Sequence, residues 1–155
     1  MSTLNQSEIN ALNEALDDEY RAWATYDWVI RDFGEVRPFI NIRDAEARHI
    51  EALRSLFVSY GLPFPENPWH DKVPRYSSLR EACVAGVAAE VENSRLYERL
   101  LESTGRPDLL AVFHNLQKAS QQRHLPAFQR CVERHRNGGR QGIVRRKRQR
   151  RFCRH

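Results

Sequence analysis

Residues 39–61 read FINIRDAEARHIEALRSLFVSYG. Apolar side chains recur there every three or four residues, which is the spacing of an amphipathic helix. Glu46 and His49 fall inside the apolar stripe, three residues apart, so on a helix they share one face about one turn from each other. Because an isolated buried charge is costly, polar groups on a core-facing stripe are expected to be paired or to bind a metal ion.

The chain carries one pattern twice. The two copies are Glu19, Tyr26 and Arg48-His49 in the first half, and Glu90, Tyr97 and Arg123-His124 in the second. In each copy the tyrosine follows the glutamate by seven residues, about two helical turns, so both side chains lie on the same face. Two such helical hairpins, related by a pseudo-twofold axis, would bring their polar groups together at the centre of a bundle.

Four segments have helical periodicity, and nothing between them alternates like a strand. The predicted helices run from about Ser7, the expected N-cap, to Phe33, from Phe39 to Tyr60, from about Ser77 to Leu101, and from about Pro107 to Arg136. The residues between 61 and 76 include four prolines, which forbid a regular helix there and imply an extended connection. The sequence therefore predicts an all-α four-helix bundle with one long crossover between helices 2 and 3, which lets those two helices run parallel.

The fourth helix has an inward stripe that includes polar residues. The stripe is Leu109, Phe113, Leu116, Ser120, His124, Ala127 or Phe128, and Cys131. Pro126 cannot donate a hydrogen bond to the carbonyl of Gln122, so we predict a local bend beside His124.

The chain is long enough for one domain, and its charge is distributed unevenly along the sequence. At 155 residues and 41% hydrophobic content it suits one domain. Residues 1–133 hold fifteen Lys or Arg against twenty acids, and residues 134–155 hold ten Lys or Arg and no acid. We predict a bundle over 1–133 and a disordered, Arg-rich tail over 134–155, which either contacts nucleic acid or another acidic surface or is simply solvated.

Hydropathy and cysteine spacing indicate the cellular compartment and the state of the cysteines. The chain shows neither a transmembrane segment nor a secretory signal, so a cytoplasmic protein is expected. Its three cysteines, Cys83, Cys131 and Cys153, are odd in number and widely spaced, which argues against a disulfide framework and against a zinc site. Cys83 and Cys131 are predicted to be small buried hydrophobes.

The repeated pattern resembles the ferritin-like superfamily, and within it an uncharacterised bacterial rubrerythrin-like branch, over about residues 7–133. In that superfamily two helices each supply one Glu, and the other two each supply a Glu-x-x-His pair, around two iron or manganese ions. Position by position, the resemblance implies as metal ligands Glu19, Glu46, His49, Glu90 and His124.

One position departs from the superfamily pattern. Gln121 stands where the second pair should have its Glu. A neutral amide oxygen bridges two cations less strongly than a carboxylate, so Gln121 is expected to be a weak ligand or a neighbour of one. A dinuclear site with one weaker metal, a mononuclear site and an emptied site all stay open, as does a metal-free hydrogen-bonded network of the same residues.

The resemblance implies a function as well as a fold. It implies one or two iron ions, or manganese, and redox chemistry with oxygen or peroxide of the ferroxidase or peroxidase type, with no catalytic residue assigned. The chain has no Cys-x-x-Cys pair, so an electron donor would be a separate protein; a homodimer is a further option. Tyr26 and Tyr97 are either core aromatics or groups that donate to, or shield, a bound metal. The alternative function is a structural helical scaffold or a nucleic-acid-associated protein that works through its basic tail.

Overall fold

A computed structural model describes residues 3–136 of the chain. Within that range it contains only helices and their connections. The helices are α1 (Gln6–Phe33), α2 (Phe39–Ser59), α3 (Leu79–Leu101), α4 (Pro107–Ala119) and α5 (Leu125–Arg134), and a π-helical turn (Ser120–His124) joins α4 and α5 into one fourth rod. The prediction of an all-helical fold with four rods is confirmed. The predicted basic tail lies outside the described residues from position 137 onward.

Local polar signals set the helix ends. The side chain of Asn5 accepts a hydrogen bond from the Glu8 amide at 2.8 Å, and the Glu8 carboxylate accepts one from the Asn5 amide at 3.0 Å. This reciprocal capping box satisfies two amides that the helix cannot use. The predicted N-cap Ser7 is therefore wrong, because it lies inside the first turn. Gly61, with φ of +64°, follows α2 in the left-handed conformation that commonly ends a helix.

Two apolar clusters fill the core and fix the helix directions. The first cluster joins the beginnings of α1 and α4 to the ends of α2 and α3, through Leu12, Leu109, Leu53 and Leu100. The second joins the opposite ends of the same rods, through Ile30, Phe128, Phe39 and Cys83. It follows that α1 and α2 are antiparallel, as are α3 and the fourth rod, whereas α2 and α3 are parallel, as the predicted crossover requires.

The crossover between α2 and α3 lies against α1. The Tyr20 hydroxyl donates to the carbonyl of Pro65 at 2.7 Å, and the indole N–H of Trp69 donates to Asp17 at 2.8 Å. These contacts hold a segment that has no helix of its own and close one side of the bundle.

A π-helical turn lies at Ser120–His124, in the region where the sequence predicts a local bend. The amide of Leu125 bonds to the carbonyl of Ser120, five residues earlier rather than four, so this turn contains one extra residue. Pro126, the residue after Leu125, has no amide hydrogen and therefore donates no helical hydrogen bond. The extra residue rotates the turn so that Ser120 and His124 are both buried, while Gln121 is exposed.

A disulfide joins Cys83 on α3 to Cys131 on α5, whose Cα atoms are 5.7 Å apart. Both residues are buried, as predicted, but the prediction that they are unpaired is wrong. Their pairing depends on how α3 packs against α5, which spacing along the chain does not reveal. Cys153 lies outside the described residues.

No helix within residues 3–136 is long and apolar enough to cross a bilayer. A cytoplasmic location stays a prediction, and the Cys83–Cys131 disulfide gives it no support, since such bonds are rare in cytosolic proteins.

The contact between α3 and α5 generates a stability prediction. A Cβ atom on Gly86 would lie 2.7 Å from ring atoms of Phe128, which is fully buried. Alanine favours a helix by about 1 kcal/mol over glycine, but overpacking a core costs about 1–3 kcal/mol. We expect Gly86→Ala to lower the free energy of unfolding by up to about 2 kcal/mol in urea titrations. In a Phe128→Leu background the same change should be neutral or stabilising; a stabilising effect in the unmodified chain would contradict the close contact.

Candidate metal centre

Every rod of the bundle contributes to one buried cluster between the two apolar clusters. Glu19 on α1 is 1% exposed, Glu46 on α2 is 3%, Glu90 on α3 is 2%, and His124 at the end of the π turn is 4%. His49, one turn after Glu46, is partly buried. The structure thus brings together five of the six residues singled out by the sequence.

The five residues form two overlapping groups that share Glu46. In one group, Nδ1 of His49 lies 3.4 Å from Oε2 of Glu19 and 3.2 Å from Oε2 of Glu46. In the other, Nδ1 of His124 lies 3.4 Å from Oε1 of Glu46 and 3.4 Å from Oε1 of Glu90. One oxygen of Glu46 therefore faces each imidazole, and the two rings stack with their centroids 5.5 Å apart.

These separations fit a shared cation. Two ligand atoms that each lie about 2.1 Å from one ion, at the angles of tetrahedral or octahedral coordination, are about 3.0–3.4 Å apart. Nδ1 of His124 is buried and has no hydrogen-bond partner among the described residues, although it faces two carboxylates. A buried nitrogen without a partner is costly unless something satisfies it. The donor set of carboxylate and imidazole suits iron, manganese or zinc.

Hydroxyl groups hold the outer carboxylates in place. Tyr97 donates to Oε1 of Glu19 at 2.6 Å, and Tyr26 donates to Oε1 of Glu90 at 3.0 Å. The second oxygen of Glu90 accepts a bond from Ser120 at 2.6 Å. Burial raises the pKa of both tyrosines well above the ordinary value, so they keep their protons and remain donors.

Gln121 is the predicted site residue that the structure does not bring to the cluster. Its side chain is exposed, and its amide donates to the hydroxyl of Ser94 at 2.6 Å. Ser120 takes the inward place because the π turn holds an extra residue. The apolar stripe of α4 already included Ser120, so helical periodicity placed this position correctly where the resemblance did not.

Burial and crowding change the protonation of the cluster. Burial, together with the neighbouring Glu46 carboxylate, raises the pKa of Glu19 to about 8. Burial by itself lowers the pKa of His49 and His124, but the carboxylates that face each imidazole outweigh burial and raise these pKa values to about 10 and about 9. For Glu46, burial is likewise outweighed by its hydrogen-bond partners, so its pKa is lowered. Without a metal, protons therefore neutralise the cluster at neutral pH, and a bound cation would displace them.

A cavity of about 330 Å³ between α1 and α3 reaches the cluster. Glu46 and Glu90 line its inner end, and Glu92 and Asp18 lie along it. Ions and small molecules thus have a route to the carboxylates from this side.

A four-rod helical bundle with a buried carboxylate and histidine cluster is the class of protein that fold and site together define. No protein-family model matches the chain, and no curated protein matches it. In structure it is similar to the crystal structure of the hypothetical protein MJ0754 from Methanococcus jannaschii, with a TM-score of 0.77 and 22% sequence identity. The likeness covers 87% of this chain and 85% of that one, and it supports the fold alone.

The raised pKa values give a prediction for the metal-free protein. The folded-state pKa is about 8 for Glu19 against an ordinary 4.5, and about 10 for His49 and about 9 for His124 against 6.5. All three groups bind protons more tightly in the folded chain, so the stability they contribute is present below the ordinary values and is lost as the pH rises through the folded values. We expect the free energy of unfolding to fall between about pH 6 and 9 in urea titrations with a chelator present.

The matched control for that pH series is Glu19→Gln, which cannot titrate and should remove the part of the slope that Glu19 contributes between its ordinary pKa of 4.5 and about pH 8. A free energy of unfolding that stays level or rises with pH across the same interval would contradict the protonated cluster.

Proposed function

We propose that the protein is a ferritin-like metal-binding protein that holds one or two iron ions, or manganese, and carries out redox chemistry with oxygen or peroxide. The observation that carries the proposal is the position of Glu46, which faces His49 with one oxygen and His124 with the other. A carboxylate shared in this way suits two ions better than one.

Charge supports the same assignment. Three buried carboxylates would carry a charge of −3 against +4 for two divalent ions, so the ions would offset a repulsion that protons otherwise relieve. Each ion would have two carboxylates and one imidazole, from Glu19, Glu46 and His49 or from Glu46, Glu90 and His124. With Gln121 turned away, the two positions have equal donor sets, so neither is weakened by an amide ligand.

Residues of the chain would have specific roles around such ions. A bound iron or manganese ion supplies the electron transfer. The carboxylates hold it, Tyr26 and Tyr97 orient two of them, and the cavity between α1 and α3 admits small molecules. Three protein ligands per ion leave coordination positions for those molecules.

Two features support the ferritin-like assignment of the fold. The rods form two antiparallel hairpins joined by one long crossover, and the glutamates and histidines lie at matching heights on all four. An electron donor would be a separate protein. The alternative function, a scaffold that works through the basic tail, concerns mainly residues beyond 136 and stays a prediction.

Metal content tests the proposal directly. After anaerobic loading with ferrous iron and desalting, we expect about two ions per chain by elemental analysis, and less than half of that in Glu46→Gln. Glu51→Gln is the matched control, since Glu51 lies on the same helix but is exposed. Ferrous oxidation on admission of oxygen should be lost in Glu46→Gln and kept in Glu51→Gln.

The loading experiment separates binding from turnover. Less than about a tenth of an ion per chain in the unmodified protein, with either iron or manganese, would contradict metal binding. Full loading without oxidation of ferrous iron would keep the metal centre and remove the redox activity.

A further inference from the structure

A second cavity reaches the same cluster from another side and has the opposite charge. It has a volume of about 390 Å³ and lies between α2 and the fourth rod, with His124 in its wall. Five arginines line it, Arg37, Arg48, Arg123, Arg130 and Arg134, and no aspartate or glutamate does. We call it the arginine pocket.

The five guanidinium groups have no counter-charge within residues 3–136. None of them makes a hydrogen bond or ion pair there, and all five are exposed to solvent. Two acids of the same helices are engaged elsewhere, since Asp44 pairs with Arg43 and Glu133 with Arg136. Five like charges around one concavity repel each other and produce a positive potential that the low-dielectric wall concentrates.

The floor of the arginine pocket is apolar. Ile42 and Ala45 of α2 and Ala127 of α5 line it and are buried or half-buried, whereas the five arginines are exposed. The volume lies in the range of about 300–1,000 Å³ that is typical of small-molecule sites, which combine an apolar lining with a few polar groups that orient the ligand. A flat basic surface for an extended polyanion would need neither the concavity nor the apolar floor.

We propose that the arginine pocket binds a small organic molecule that carries a phosphate group. The planar guanidinium fork matches phosphate oxygens in pairs, and such charge-assisted bonds are among the strongest in proteins. A phosphate monoester offers three acceptor oxygens and a charge of about −2, so several arginines engage it at once. The apolar floor packs against the organic part of the ligand.

This binding requires no metal. The arginines lie outside the carboxylate cluster, and only His124 is common to both. The proposal is therefore tested on the metal-free chain, and failure of metal loading leaves the outcome unaffected.

The experiment is isothermal titration calorimetry of the full-length, chelator-treated protein at about 150 mM salt, where long-range attraction is screened. The probes are inorganic phosphate, pyrophosphate and phenyl phosphate. We expect saturable binding at one site per chain, with phenyl phosphate tighter than inorganic phosphate because only the ester reaches the apolar floor. Weaker binding of phenyl phosphate than of inorganic phosphate would overturn the proposed ligand class.

Two double variants each remove one arginine from the α2 side of the pocket and one from α5. Arg48→Gln with Arg130→Gln should weaken phenyl phosphate binding about tenfold or more, since two charge-assisted bonds are lost. Arg37→Gln with Arg134→Gln changes no residue next to a candidate metal ligand. It gives an independent measure of phenyl phosphate binding if the first variant does not fold. Circular dichroism and thermal unfolding report on folding.

Arg80→Gln with Arg95→Gln is the matched control. Both residues are exposed on α3, away from the pocket, and make no ion pair within the described range. This variant has the same net charge as the pocket variants and should bind within about twofold of the unmodified chain. If the pocket and control variants weaken phosphate binding equally, net charge alone explains the effect and the proposal is overturned.

A single-stranded oligonucleotide of twenty bases is the second arm. If it binds and the pocket variants abolish that binding, while neither pyrophosphate nor phenyl phosphate reaches saturation, the pocket belongs to a nucleic-acid surface and the small-molecule proposal is overturned.

Discussion

The burial of Glu46 between two imidazoles constrains both the fold and the site. A carboxylate with 3% exposure is stable only when its charge is compensated, and here each oxygen faces a different histidine. His49 belongs to the same hairpin as Glu46, whereas His124 comes from the other hairpin. The two hairpins therefore cannot separate without leaving a charge uncompensated in the core. Whatever neutralises the cluster, whether protons or cations, also holds the bundle together.

Around Glu46, each half of the internal repeat contacts the glutamate of the other half. Tyr97 of the second hairpin donates to Glu19 of the first, and Tyr26 of the first donates to Glu90 of the second. Each hairpin thus orients the glutamate of its partner, as expected for two hairpins related by a pseudo-twofold axis. The symmetry ends at the π turn, where Ser120 lies inward and donates to Glu90, and no carboxylate of the second hairpin matches Glu46. The cluster therefore has one shared carboxylate and two histidines.

Sequence reasoning predicted most of this because the decisive signals are periodic. The apolar stripes gave the rods, the prolines after Gly61 gave the crossover, and the polar residues within the stripes gave five members of the cluster. The errors arose where geometry departs from periodicity or depends on distant packing. A π turn adds a residue that spacing rules for α-helices do not count, so Gln121 was assigned a place that Ser120 occupies. The Cys83–Cys131 disulfide follows from the contact of α3 with α5 across a separation of 48 residues.

The electrostatic potential differs between the two cavities that reach the cluster. The cavity between α1 and α3 has four acids in its walls, Asp18, Glu46, Glu90 and Glu92, against one arginine, Arg21. The arginine pocket has five arginines in its lining and no aspartate or glutamate. Clefts lined by one sign of charge concentrate the opposite ion, so cations are drawn toward the carboxylates from the α1 side and repelled from the α5 side, while anions experience the reverse. Since His124 lies in the wall of the arginine pocket and within the carboxylate cluster, an anion held by the arginines would lie near this imidazole and the candidate metal centre.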